Sequence, residues 1–425
     1  MRPQLKRTIS LPQGVALYLG AVIGAGVLLL PGLSATIAGP ASTVAWLFNS
    51  LLGIPLALTF AALASRHPNA GGLATYATLA FGRTVGAVAG WFYFIGAATA
   101  QALVALTGAY YAGPHLGLDR GGTFVLAGTI LAVSTLSNAR GLRVSGRLQL
   151  VFSAGVAAML AIAIIFAIPR VEAHWWTPFA PHGWDAVGQA SVLLFFAFFG
   201  WEAITHLSEE FRDPARDVLR STVISVGVIS VLFVGIAVVT IGTGTYGTDD
   251  VNRTVIARLL AGSLSPAVGA LGATIALLIS LGTTNAFVAA TSRLGYALAR
   301  DQMFPRALAT VNRRGVPLTA VLAVGGYALA SLLVTYLAGW GPEPLLAVPT
   351  SLVILTYVAA MVAGTKLLSG TARVAAAVAA LLCVAILPFA GVALVIPLVV
   401  TVIALVYLRS RRGDRAGVEP VGRNG

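Results

Sequence analysis

Two short stretches hold the residue types that could do chemistry: Val22-Ile-Gly-Ala-Gly-Val27 and Phe196-Ala-Phe-Phe-Gly-Trp-Glu202. Both lie inside long apolar runs, where a broken backbone or a carboxylate is costly unless it lines a cavity or meets a partner. Of the 14 acidic residues, Glu202 is the one placed deep in such a run. A helix starting near Gly188 puts it roughly 20 Å along the axis. A carboxylate at that depth reads as functional; the plainer reading is a structural carboxylate that braces backbone amides where the helix breaks.

In the first stretch, Gly24 and Gly26 flank Ala25 and permit an unwound segment. A half-helix beginning near Val27 would aim its positive end at the gap, a seat for a carboxylate. A half-helix ending near Val22 would offer free carbonyls to an ammonium. One amino acid zwitterion satisfies both. As a dinucleotide fingerprint the run fails, lacking the strand–helix context and the later acidic residue. Close helix packing through small residues is the alternative. Phe199-Gly200 repeats the device one five-helix unit later, and paired interrupted helices in two halves point to a binding site between them.

The elements that must position these residues are membrane spans. Hydrophobic residues make up 58% of the 425, charged residues 10%, and the 47 glycines suit helices that pack closely or break in lipid. Mean hydropathy is +0.89. Apolar runs at 12–38, 40–64, 85–112, 122–138, 148–169 and 188–208 precede six more at 218–242, 265–292, 317–338, 345–365, 374–388 and 391–408. The fold class predicted is an all-α polytopic membrane protein of twelve spans. Five is odd, so the second unit (188–367) inverts the first (11–169), and 371–408 adds two helices outside the repeat. Residues 1–10 and the basic, Gly-rich tail 409–425 flank the bundle, the tail without regular structure.

With the N-terminus cytoplasmic, 23 of the 27 Lys and Arg fall inside, leaving Arg120, Arg170, Arg253 and Arg258 outside. The positive-inside rule then places both termini in the cytoplasm of a bacterial-type plasma membrane. The net charge of +13 is a topology signal, not a nucleic-acid footprint. Trp175, Trp176 and Trp184 suit an interfacial belt. His174 and His182, near Glu172 and Asp185, do not make a convincing metal site, and lone Cys383 excludes a disulfide framework.

Further motifs accompany the two stretches: Pro31, His67-Pro-Asn-Ala-Gly-Gly72, Glu209-Glu210, Asp213-Pro214-Ala-Arg216, and Ser292-Arg293-Leu-Gly-Tyr-Ala-Leu-Ala-Arg300-Asp301 closing with Phe304-Pro305. In this order and spacing the chain resembles the amino acid–polyamine–organocation transporter superfamily from about Leu11 to Pro317. It looks closest to bacterial exporters of methionine and branched-chain amino acids. The resemblance implies the five-plus-five inverted repeat of the leucine-transporter type, with helices 1 and 6 unwound in mid-membrane. It places the substrate ammonium on the carbonyls of Val22, Phe196 and Phe199, around Gly24 and Gly200, and the carboxylate on amides of Ala25, Gly26 and Val27. Phe287, Gln101 and Asn285 would line the cavity. Glu202 would sense protons or brace the broken helix, Trp201 would stand beside it, and Arg216 would belong to the cytoplasmic gate.

Two departures leave coupling open. Ala25 stands where many members carry a serine, and the fifth helix, Leu148 to Pro169, has no lysine. Proton exchange through Glu202, substrate antiport and uniport all fit. Ser280, Thr283 and Thr284 are weak sodium candidates and otherwise helix-packing groups. With Glu202 the only charge in the spans, the expected cargo is a neutral apolar amino acid (Met, Leu, Ile or Val) moved by a proton-linked exporter or antiporter. An importer or exchanger of cationic amino acids or amines is the alternative. No cofactor is expected, and the chain works as a monomer or homodimer. A membrane enzyme would need more than His206 and Glu202 four residues apart, and a channel would want a polar-lined pore.

Overall fold

In lipid each backbone N–H and C=O must find a partner within the protein, which long apolar runs achieve as helices. The computed structural model of the chain describes residues 10–67, 72–141, 146–202, 211, 213–313 and 315–416. Their regular structure is helical, with no strand among them, and nine of their helices are long and apolar enough to cross a membrane.

In chain order the helices are α1 (Leu11–Val22), α2 (Leu30–Ala38), α3 (Ser42–Arg66), α4 (Gly72–Phe81), α5 (Arg83–Ala112), α6 (Arg120–Ala139), α7 (Gly146–Ala167) and α8 (Asp185–Leu194). Then follow α9 (Pro214–Gly242), α10 (Asp249–Arg253), α11 (Val255–Ser263), α12 (Pro266–Arg300), α13 (Leu318–Leu337), α14 (Glu343–Leu367), α15 (Gly370–Ile386) and α16 (Val395–Ala416). Their starts follow capping chemistry. Ser10 and Gln13 close a capping box on α1, Asp119 accepts the Gly122 N–H at 2.7 Å on α6, and Ser265 accepts that of Val268 ahead of Pro266 on α12.

Small residues set the central pair. Gly90 lies against Leu298, Phe94 against Gly295 and Gly108 against Ser280, so α5 and α12 run antiparallel with their backbones close. The α10–α11 hairpin covers α2: a Cβ on Gly32 would stand 2.5 Å from the Cα of Asn252. Tyr111 ties the layers together, donating to Leu28 O at 2.7 Å and accepting the Ile256 N–H at 3.3 Å. By contrast α15 and α16 present mostly exposed apolar side chains, the face that lipid covers.

The expected irregular tail begins later than Arg409. The helix α16 continues to Ala416, where basic residues suit a helix C-terminus.

A candidate substrate and coupling site at two broken helices

The first break follows from Gly24 and Gly26. Helix α1 stops at Val22, Gly24 turns its N–H back to Val22 O at 2.8 Å, and Gly24 itself is extended (φ −79°, ψ −179°). A 3-10 turn then runs Ala25–Leu28, opening with the Val27 N–H on Gly24 O at 3.3 Å. Val27's amide is therefore spent inside the turn. Those of Ala25 and Gly26, the first two of the new turn, are the pair without an intrahelical acceptor.

The second break follows α8 through a 3-10 turn, Phe195–Phe198, to an extended Phe199 (φ −73°, ψ 126°) and then Gly200 at φ +130°. That φ alone demands glycine. A Cβ there would also stand 2.4 Å from the carbonyl oxygen of Ala21, so the second break rests directly on the backbone of the first. From the other side, Gly26 faces the Phe196 ring, where an added Cβ would come within 2.7 Å. Two interruptions 174 positions apart, Gly26 to Gly200, thus meet at one level.

Glu202 sits just past the second break and is 3% exposed. Its Oε1 accepts the Tyr93 hydroxyl at 2.7 Å, and its Oε2 accepts the Tyr357 hydroxyl and, at 3.1 Å, the Gly200 N–H. That N–H also reaches the Tyr357 oxygen at 3.2 Å. Tyr93 belongs to α5 and Tyr357 to α14. One carboxylate therefore joins the broken helix to two unbroken ones through charge-assisted hydrogen bonds.

An aromatic wall continues from this network. Tyr93 meets Phe199 at 5.4 Å between centroids, and Phe199 meets Phe287 at 6.0 Å. Trp201 packs instead on Tyr18 at 5.8 Å, and Tyr18 bonds Thr222 of α9 at 2.6 Å.

The remaining predicted residues divide by helix face. Thr283 faces Gly24. Ser280 faces Gly108, and Gln101 turns its Nε2 to Ala97 O at 3.3 Å and Thr291 at 3.4 Å, both within the α5–α12 seam. Thr284 is buried. Asn285 accepts from Asn138 of α6 on its backbone oxygen, while its side-chain Oδ1 is buried without a hydrogen-bond partner. Arg216 is exposed in the first turn of α9. His206, Glu209 and Glu210 lie outside the described residues. His174 pairs with Glu172 at 3.1 Å and His182 Nδ1 meets Ile37 O at 2.9 Å. Among the described residues no group of three His, Cys, Asp or Glu is placed to hold a metal ion.

Sequence reasoning missed Tyr93 and Tyr357. The available signal was weak: a tyrosine within an apolar span wants a partner for its hydroxyl, and Glu202 wanted donors.

A bundle of membrane-crossing helices, two of them broken where they touch, is the build of a secondary transporter. Sequence comparison then gives the family. A model of the amino acid permease family matches residues 9–421. The uncharacterized amino acid permease YecA of Bacillus subtilis is 34% identical over 99% of this chain and 100% of its own length. The L-methionine/branched-chain amino acid exporter YjeH of Escherichia coli is 31% identical over 91% and 92%. The branched-chain amino acid permease BcaP of Bacillus subtilis is 28% identical over 72% and 70%. The chain belongs to the amino acid permease family. It is a multi-pass membrane transporter, not an enzyme, and its cargo is a small molecule.

Proposed function

We propose that the protein is a secondary carrier of neutral, apolar L-amino acids such as Met, Leu, Ile or Val, held between the two breaks. The observation that carries this is Gly200 seated on the Ala21–Val22 backbone beside the Gly26–Phe196 contact. Beside the Phe196, Phe199 and Phe287 side chains, Val22 O accepts the Gly24 N–H and Phe196 O the Phe199 N–H, so these two carbonyls would offer a cargo their second lone pairs, alongside the carbonyl of Phe199. The ammonium meets the carbonyls around Val22, Phe196 and Phe199, the carboxylate meets the Ala25 and Gly26 amides, and the aromatic wall takes the side chain. A dibasic cargo would need a second carboxylate, and Glu202 is already committed to Tyr93, Tyr357 and Gly200. The names of YjeH and BcaP, both concerned with branched-chain amino acids, support the same cargo.

The chain is read as twelve spans. Helices α1 and α2 form one broken span ahead of α3, α8 opens another, and α15 and α16 are separate crossings. Two five-helix units related by inversion then carry one break each. Glu202 is the proton-responsive group: protonation would remove its charge and weaken its hold on both tyrosines and on Gly200, coupling helix rearrangement to pH. Net export driven by proton exchange is the direction this reading favours.

Counterflow into proteoliposomes loaded with unlabelled methionine or leucine tests it. Saturable, stereoselective uptake of labelled neutral amino acid that depends on pH is expected. Absence of exchange with every neutral amino acid, from protein that is monodisperse and thermally cooperative, rejects the cargo assignment.

A further inference from the structure

The last two helices, α15 and α16, lie at the edge of the bundle, yet they are fastened to it at two particular places. Along α16, Ala404 is buried, and Tyr407 donates its hydroxyl to Phe304 O at 2.6 Å while its ring meets Trp91 at 5.8 Å. Trp91 in turn donates to Met303 O at 2.9 Å, and Arg83 to Asp301 O at 2.6 Å. Helix α16 is thereby tied to α5 and to the turn that closes α12, the antiparallel pair whose backbones approach through glycines.

The second fastening is in the linker between α15 and α16, a 3-10 segment, Leu387–Leu394, in which no residue is buried. Gly391, at φ +53°, turns the chain there into α16. Phe389 is 38% exposed, so its ring is neither sunk in the core nor given up wholly to lipid. It lies on Gly188, where an added Cβ would stand 2.3 Å from both Cγ and Cδ1 of the ring and 2.6 Å from Cδ2. The ring rests on bare backbone at the start of α8, a seat that any side chain at 188 would fill.

Helix α8 is the first half of the second broken segment. It passes directly into the Phe195–Phe198 turn, whose Phe196 ring covers Gly26 of the first break. Gly188 precedes Phe196 by eight positions, roughly 12 Å of helix at 1.5 Å per residue. On another flank α8 is held by α3, where Asn49 Nδ2 donates to Ser191 O at 3.1 Å. Phe389 therefore bears on one end of a short rod whose other end closes the gap beside Gly24.

We propose that Phe389 is a positioning residue for transport. Seated on Gly188, it holds α8 so that Phe196 stays on Gly26, and the seat must be vacated for the gap between the two breaks to open. Through Tyr407 and Phe389 the last two helices join the unbroken α5–α12 pair to the half-helix that moves. The inference rests on the two breaks being the place where cargo is held. Its test reads entry to that gap and not transport, so a wrong cargo assignment leaves it standing.

The reporter is Thr283→Cys, at the position facing Gly24, in a Cys383→Ala background of the purified full chain in detergent. The readout is the maleimide labelling rate at position 283, followed by peptide mass spectrometry. Phe389→Ala should raise that rate roughly fivefold, because labelling follows the fraction of time the gap is open. Phe389→Leu, which keeps apolar bulk on the glycine, should restore most of the parent rate. Val392→Ala, in the same linker but 89% exposed, should leave it unchanged. The opposite effect comes from Gly188→Cys combined with Phe389→Cys. A Cβ at 188 stands 2.3 Å from Phe389 Cγ, itself one bond from the Cβ at 389, so this pair can close a disulfide. Oxidation should slow labelling at position 283 several-fold, and this decides the matter if Phe389→Ala does not stay monodisperse. Rates unchanged by Phe389→Ala and by the oxidised pair overturn the proposal. So does a rise in Val392→Ala equal to that in Phe389→Ala, which would mean a loosened linker and no role for the ring.

Discussion

At the scale of single residues, the centre rests on two glycines and one carboxylate. Gly26→Val pushes two methyl groups into the Phe196 ring, where a Cβ alone already reaches 2.7 Å. Counterflow should fall by about tenfold or more while the protein stays monodisperse, since Phe196 is a side chain that can move. Unchanged transport would remove the first break from the binding site. Gly200→Ala is the harsher change. It combines φ +130° with a Cβ 2.4 Å from a backbone oxygen. A strained φ alone costs ~1–3 kcal/mol, so the melting temperature should drop by several degrees.

The carboxylate was legible because Glu202 is an acid in an otherwise apolar run. Its partners were not, since Tyr93 and Tyr357 lie 109 and 155 positions away and look like ordinary aromatic residues in their own spans. Glu202→Gln keeps the shape and removes the carboxylate charge, so on the proposed coupling role the pH dependence of counterflow should flatten. A profile identical to that of the parent protein would make Glu202 a brace only. Tyr93→Phe removes one hydrogen bond to a buried carboxylate, worth ~1.5–3 kcal/mol, and should shift that profile without abolishing it.

At the scale of elements, apolar runs of span length were readable directly, and the helix starts follow Ser10, Asp119 and Ser265. Helix phase was not. Along α12 small and apolar residues occur on every side, so nothing in the pattern announced that Thr283 would face Gly24 while Ser280 turned to Gly108. The α10–α11 hairpin was equally silent, because it depends on a glycine in α2 accepting the backbone of Asn252 and on one distant hydroxyl. Tyr111, 1% exposed, satisfies a carbonyl at the end of the first break and an amide at the start of α11. Tyr111→Phe leaves both unpaired at a cost of ~1–3 kcal/mol and should loosen the hairpin. A cysteine at Val255, in a Cys383→Ala background, reports this through its maleimide labelling rate in detergent. Several-fold faster labelling is expected, and an unchanged rate would make the hydroxyl dispensable.

At the scale of the whole molecule, the distribution of charge bears on which way the bundle sits in the membrane. Lys and Arg crowd the ends where α3, α6, α12 and α16 finish, whereas Arg120, Arg170, Arg253 and Arg258 lie at the opposite ends. Each of these four is engaged locally. Arg120 donates to the carbonyls of Thr335, Tyr336 and Trp340, Arg170 to Ser263, Arg253 to Asp249 at 2.7 Å, and Arg258 to Thr254. Charges tied into capping and packing are explained by the fold, and the remaining basic residues carry the orientation. The proposed twelve crossings, an even number, would put both termini on that basic side. Single cysteines at Ser10 and Ser410 should therefore be shielded from a membrane-impermeant maleimide in intact cells, and one at Gly183 should be labelled. Labelling of one terminus but not the other would make the number of crossings odd and break the pairing of the two five-helix units. Labelling of both would reverse the membrane orientation.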